Sequence, residues 1–343
     1  MQPDCCVWSA PEGLAQAVSP LLAARESRGV HRRSIIRLHA GRKFNLGREP
    51  FQAWVSAKEL LRVVMPNPRI ELRGSTALVT GASAGIGLAV ARRLARSGVN
   101  LVLAARRPEP LELAAALLRE SGIKAIAVPT DVAHRESLEA LVERAIREFG
   151  AIDVLVNNAG VEAFCPYEEL SLDRIADTIA VNLTSALLLT RLVIPHMLKA
   201  GRGHVVNMAS TAGKFGPAFG ATYGTTKAGL INFTQGLRAE YRGRGISASA
   251  ICPGFTEQGG IYDRMREQSG RRSPFFVGST TVERVAEAVV RAIERDKAEL
   301  IVNWPPLRPL SAFVALFPTL GGAVARLASV KFLRRVAQTS SRE

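Results

Sequence analysis

From Ser75 onward the chain alternates short apolar runs with longer amphipathic stretches, and no other feature restricts the fold as much. The runs read "STALVT", "NLVLA", "KAIAV", "IDVLV", "GHVVNM", "ISASAI" and "AELIV". Between them lie helical patterns near 85–97, 109–121, 134–148, 170–199, 221–242 and 282–294. Strands that are apolar at nearly every position must be covered on both faces, and helices of this length are what crossover connections between parallel strands supply. The expectation is an α/β fold, a doubly wound parallel sheet of about seven strands in a single domain over residues 74–303.

Composition limits what such a domain serves. With 47% apolar residues in 343, a large core is affordable. The net charge of +15 points to nucleic acid only until it is divided. Residues 1–73 carry 12 Arg/Lys against 6 Asp/Glu, residues 301–343 carry 6 against 1, and the middle is nearly balanced. No aromatic-interleaved basic patch accompanies the excess, so nucleic acid is not an expected partner. Cys5, Cys6, Cys165 and Cys252 show neither metal-ligand spacing nor a disulfide framework, which fits a reducing cytoplasm and predicts no metal.

The two flanks read as extensions. Residues 1–73 are basic and aperiodic, without a signal-peptide run, and Met65 offers an alternative start ten residues before the first strand. Residues 304–343 form an apolar and basic tail. Seventeen residues from Pro309 to Ala325 carry no charge, are broken by Pro318, Gly321 and Gly322, and precede Arg326, Lys331, Arg334 and Arg335. That run is short for a membrane span. Two readings stand side by side: peripheral contact with an anionic membrane, or burial against the core or another subunit.

"STALVTGASAGIGLAVARRLA" sets Gly81, Gly85 and Gly87 where a strand turns into a helix, with Ser83 and Ile86 between them. A pyrophosphate needs a tight turn, a close backbone approach and a helix N-terminus aimed at the anion, and this context supplies all three. The fold expected is therefore of the Rossmann type. At the end of the second run, "NLVLAARRPEP" has Ala104 and Ala105 where an acid would bond the ribose 2′-hydroxyl of NAD, followed by Arg106 and Arg107. A guanidinium suits a 2′-phosphate, so NADP is preferred through Arg106, with NAD still admitted.

Tyr223 and Lys227 lie four positions apart in "ATYGTTKAGL". On a helix they share a face, and an ammonium near a phenol favours the phenolate. Together with "TGASAGIG", "DV" (131–132), "NNAG" (157–160), "VN" (181–182), "NMAS" (207–210) and "PG" (253–254), in this order, the chain over about 74–300 resembles the classical short-chain dehydrogenase/reductase family.

The resemblance implies roles. Asp131, with Val132, would close the adenine side of the cofactor pocket; Asn157, Asn158, Ala159 and Gly160 would line the cofactor and brace the central strands. Ser210 would orient the substrate oxygen, and Asn182 would hold a helix irregularity on the proton path. Tyr223 would act as acid/base, with Lys227 lowering its pKa and bonding the nicotinamide ribose. Pro253, Gly254 and Thr256 would face the nicotinamide, although "PGFTEQGG" departs from the aliphatic residue and threonine usual there. Residues 257–280, with Tyr262, Met265, Phe275 and Phe276, resemble the mobile substrate lid.

The function expected is interconversion of a hydrophobic carbonyl compound and its alcohol by hydride transfer with NADP(H); the resemblance implies a homodimer or homotetramer. Two rivals stay open: a catalytically silent dinucleotide-binding module, and an epimerase or dehydratase on the same fold.

Overall fold

The computed structural model describes residues 70–162, 164–258, 261–270 and 277–340, which lie in one compact unit spanning Val55–Glu343. The expectations about residues 1–69, including the Met65 start, and about Phe275 and Phe276 in the lid lie outside the described residues.

Seven strands form one sheet among the described residues: β1 (Thr76–Thr80), β2 (Asn100–Ala105), β3 (Ala125–Pro129), β4 (Val154–Asn157), β5 (Gly203–Met208), β6 (Ile246–Pro253) and β7 (Glu299–Val302). Their order is 3-2-1-4-5-6-7 and every pairing is parallel. The helices between them are α1 (Gly85–Arg96), α2 (Pro108–Arg119), α3 (Arg135–Phe149), α4 (Leu172–Ile179), α5 (Ser185–Ala200), α6 (Ala221–Glu240), α7 (Ile261–Ser269) and α8 (Val282–Glu294). Two more follow the sheet, α9 (Arg308–Leu316) and α10 (Pro318–Ser340).

The pleat of the sheet sorts the apolar residues into two layers. On β1 and β2, Ala77, Val79, Leu101 and Leu103 pack with Val90 and Leu94 of α1 and with the apolar side of α8. The alternate residues Leu78, Val102 and Ala104 pack on the opposite face with Leu138 of α3 and with Leu189, Val193 and Met197 of α5. Burial of both faces explains why these strands are apolar throughout. The segment Leu172–Ala200 has the length and hydropathy of a membrane span, yet seven residues of α5 are buried; it is a core helix of this sheet.

Strand order reverses between β1, which leads to β2, and β4, which leads to β5. The loops leaving the carboxyl ends of β1 and β4 therefore diverge and open a crevice, the place where ligands bind in open α/β sheets.

Candidate active site

The crevice continues into a cavity of about 1010 Å³. Gly81, Ser83, Gly85, Ile86 and Gly87 line one end of it. Gly81 and Gly85 have φ of +65° and +54°, which side chains rarely tolerate. A Cβ on Gly87 would stand 2.2 Å from the Gly81 carbonyl oxygen, so α1 can begin this close to β1 only with glycine there. The first turn of α1 carries no side-chain cap and no acid. A glycine-rich turn that opens an uncapped helix at the crevice, with only small side chains beside it, fits a pyrophosphate.

Asn158 fastens this turn to β4. Its Nδ2 donates to Thr80 O at 2.8 Å and Gly81 O at 3.3 Å, while its own N–H and that of Ala159 both donate to Thr80 Oγ1 at 3.0 Å. Beneath it Asn157 is buried and donates to Thr190 Oγ1 and Asn207 Oδ1, bracing β4 against α5 and β5. Thr80 anchors both strands to the turn, and sequence reasoning passed over it; its place directly before Gly81 was the available signal.

Asn182 sits in a π-helical turn, Ala180–Thr184, that joins α4 to α5. The turn pushes its side chain out of helical register, where Oδ1 accepts from Val161 N at 2.7 Å and Nδ2 donates to Val161 O at 2.8 Å. Nδ2 also reaches Thr226 Oγ1 at 3.3 Å, so Asn182 ties the loop after β4 to α6 beside the tyrosine and lysine. A Cβ at Gly160 would lie 3.2 Å from Asn182 Oδ1 and 3.5 Å from Lys227 Nζ, so Gly160 packs closely against both side chains.

Ser210, Tyr223 and Lys227 line the middle of the cavity. Ser210 follows β5; its Oγ accepts from Ala212 N at 3.1 Å, donates to Pro253 O at 3.4 Å, and the side chain lies near enough to the Tyr223 phenol to lower its pKa. Lys227 is buried, donates from Nζ to Met208 O at 2.9 Å and stands 5.7 Å from the Tyr223 ring centroid. Pro253, Gly254 and Thr256 border the same space, with Thr256 Oγ1 donating to Gly254 O at 3.1 Å. Gln258, the sixth residue of the unusual "PGFTEQGG" stretch, is exposed with φ +74°.

A family model described as short chain dehydrogenase matches residues 75–269. Ketoacyl reductase HetN of Nostoc sp. is 41% identical over 236 residues, covering 69% of this chain and 81% of the relative. Cis-4-hydroxycyclohexanecarboxylate dehydrogenase of Sinomonas cyclohexanicum is 36% identical over 232 residues, 66% of this chain and 92% of the relative. Among solved structures, an NAD+-bound xylitol dehydrogenase superposes with TM-score 0.63 at 30% identity, covering 68% of this chain and 99% of its own. A short-chain dehydrogenase/reductase from Burkholderia phymatum in complex with NAD gives TM-score 0.65 at 28% identity, covering 73% and 96%.

The chain belongs to the classical short-chain dehydrogenase/reductase family. It is a nicotinamide-dinucleotide-dependent oxidoreductase acting on CH–OH groups.

Not every expected residue of this short-chain dehydrogenase borders the cavity. Arg106 is exposed just past β2, Asp131 accepts from Ala133 N at 3.0 Å in the turn after β3, and Val132 is buried in the core. Ala82 N donates to Ala104 O at 3.2 Å, so the end of β2 lies against the glycine turn and Arg106 projects from its rim.

The electrostatics correct one expectation. Burial pushes the Tyr223 phenol up to about 12, Glu162 adds to the rise, and Ser210 opposes it. Lys227 is not the force acting on the phenol. Its ammonium is held by the Met208 carbonyl, and burial brings its own pKa down to about 8. Although Tyr223 keeps some surface open to the cavity, protein surrounds the ring, and desolvation, which disfavours the anion, is the largest influence on it.

The far wall of the cavity is apolar, and part of it comes from α9 and α10, beyond the residues that the family model matches. Phe164, 5.6 Å from the Tyr223 ring, packs with Tyr262 and Met265 of α7 and with Phe332, Leu333 and Val336 of α10. Leu310, Val314 and Leu333 of α9 and α10 line the cavity themselves. The tail thus packs against the lid helix and forms one side of the site. Sequence reasoning held burial against the core as one of two readings of this tail, and the apolar stripe Phe332, Leu333 and Val336 is what packs there.

Proposed function

We propose that this oxidoreductase interconverts a hydrophobic ketone or aldehyde with its alcohol, using NADPH in preference to NADH. The observation that carries it is the placement of Tyr223, with Ser210 in the same cavity, between the glycine turn and an apolar wall. When bound, the dinucleotide supplies or accepts a hydride at its nicotinamide ring. Ser210 holds the carbonyl oxygen, and Tyr223 gives that oxygen a proton in reduction or takes it in oxidation. A phenol held protonated well above neutrality suits the reducing direction, and the ketoacyl reductases among the relatives agree with it. Lys227 and Asn182 position α6 and the loop after β4 around the site. Preorganised donors around the developing alkoxide charge are the protein's main contribution.

NADP preference rests on Arg106 at the rim of the glycine turn and on the absence of an acid at the end of β2. The substrate's apolar character rests on Phe164, Met265, Leu310, Val314 and Leu333. Exposed Leu172, Ile179, Leu187 and Leu188 on α4 and α5 support a homo-oligomer. Free Cys165 and Cys252 suit a reducing cytoplasm.

Tyr223→Phe tests the assignment. With an aldehyde screen read by NADPH consumption, kcat should fall by at least about 100-fold while NADPH binding survives. Turnover within a few-fold of the unmodified protein would refute the role of Tyr223. A wild-type chain that binds NADPH but turns over no carbonyl would leave only a dinucleotide-binding module.

A further inference from the structure

The outer face of the C-terminal helix pair carries a cluster of exposed apolar side chains. Leu316, Phe317, Leu320, Val324 and Leu327 are all large, apolar and exposed, with Leu316 and Leu327 at 74% and 78%. They gather where α9 turns into α10. Gly321 makes this turn compact, since a Cβ there would stand 2.6 Å from Val314 Cα. Further along the same stripe of α10, at helical spacing, the residues become Lys331 and Arg334, both exposed. From Arg308 to Arg342 the sequence carries six basic residues and no acid.

We propose that this face docks on an anionic lipid bilayer. The apolar end of the pair would enter the interface to a depth of about 5–10 Å, as amphipathic surface helices do. Leu327 and Lys331 are about 6 Å apart along the axis, so the cations then stand level with the lipid phosphates. A second copy of the chain fits less well. A two-fold contact through this patch would leave Lys331 and Arg334 of both copies at its margins, with no acid in the segment to pair with them.

The opposite face of the same helices lines the cavity with Leu310, Val314 and Leu333. Resting on the reading of that cavity as the carbonyl site, the docked pair is the door through which a membrane-dissolved substrate reaches Tyr223.

The test is co-sedimentation of the full chain with phosphatidylcholine vesicles, with and without phosphatidylglycerol. Binding is expected to the anionic vesicles and to weaken in high salt. Leu320→Glu with Leu327→Glu, and separately Lys331→Glu with Arg334→Glu, should each lower partitioning by about tenfold or more. None of these four residues lines the cavity, so turnover of a water-soluble aldehyde should be unchanged while turnover of a vesicle-dissolved one falls with binding. No binding by the unmodified chain, equal binding to both compositions, or variants that bind like the unmodified chain would overturn the proposal. So would a dimer that the Leu320→Glu, Leu327→Glu pair converts to monomer without any vesicle binding. Turnover of soluble aldehyde without vesicle binding sinks the docking alone; vesicle binding without turnover supports docking and sinks the carbonyl reading.

Discussion

Tyr223 and Lys227 stand one helical turn apart on α6, and burial moves them in opposite directions, the phenol up to about 12 and the amine down to about 8. Each group is drawn toward its neutral form, because transfer out of water penalises charge on either. Ser210 is the neighbour that works for the phenolate. The spacing of the pair was legible in the sequence, since four residues is one turn of any α-helix. The balance between desolvation and attraction was not, since it depends on everything packed around the two groups. At the rim, Arg106→Ala should raise the Kd of NADPH by about tenfold or more and that of NADH little, a guanidinium having far more to gain from a phosphate than from a hydroxyl. Isothermal titration with both dinucleotides checks this, and equal losses would defeat the cofactor preference.

Among the elements, α7 and α10 are held together by one aromatic and aliphatic cluster, Tyr262, Met265, Phe332, Leu333 and Val336, rather than by sheet hydrogen bonds. Leu333 is 2% exposed and also borders the cavity. Leu333→Ala should therefore weaken the docking of α10 by about 2–5 kcal/mol, the usual cost of a cavity left by a buried leucine. Hydrogen exchange should quicken in α10 amides and stay slow in β4 and β5; uniform protection would show that the cluster does not hold the helix. The π turn at Asn182 teaches the complementary lesson. The apolar period from 170 to 199 marks only a helix; the irregularity at Asn182 is implied by the family resemblance, and its form shows in the bonds that Asn182 makes with Val161 and Thr226.

Across the whole molecule, charge is buried sparingly and His204 is the clearest case. It is 2% exposed at the start of β5, with Nε2 2.8 Å from Ser249 Oγ, and burial lowers its pKa from 6.5 to about 4. Asp296 pulls the other way and Arg238 reinforces the fall. The folded state thus prefers neutral imidazole, while the unfolded chain takes up a proton below 6.5. Stability is fully present above pH 6.5 and drains away as pH falls through about 4, by about 3 kcal/mol for this group. His204→Gln should flatten that acid limb in urea denaturation curves; an unchanged slope between pH 6.5 and 4 would exclude His204 as its source.

The sequence by itself determined the seven strands, their intervening helices, the glycine turn, and the order of Asn182, Ser210, Tyr223 and Lys227. These follow from short-range rules: a repeat of two or 3.6 residues, a turn that only glycine can make, a spacing of one helical turn. Only the tertiary structure decided that α9 and α10 wall the cavity, that Phe164 faces Tyr223, and that burial is the largest influence on the phenol. Those outcomes depend on which surfaces meet across long stretches of chain and on how much water the meeting removes, and neither quantity is carried by local spacing.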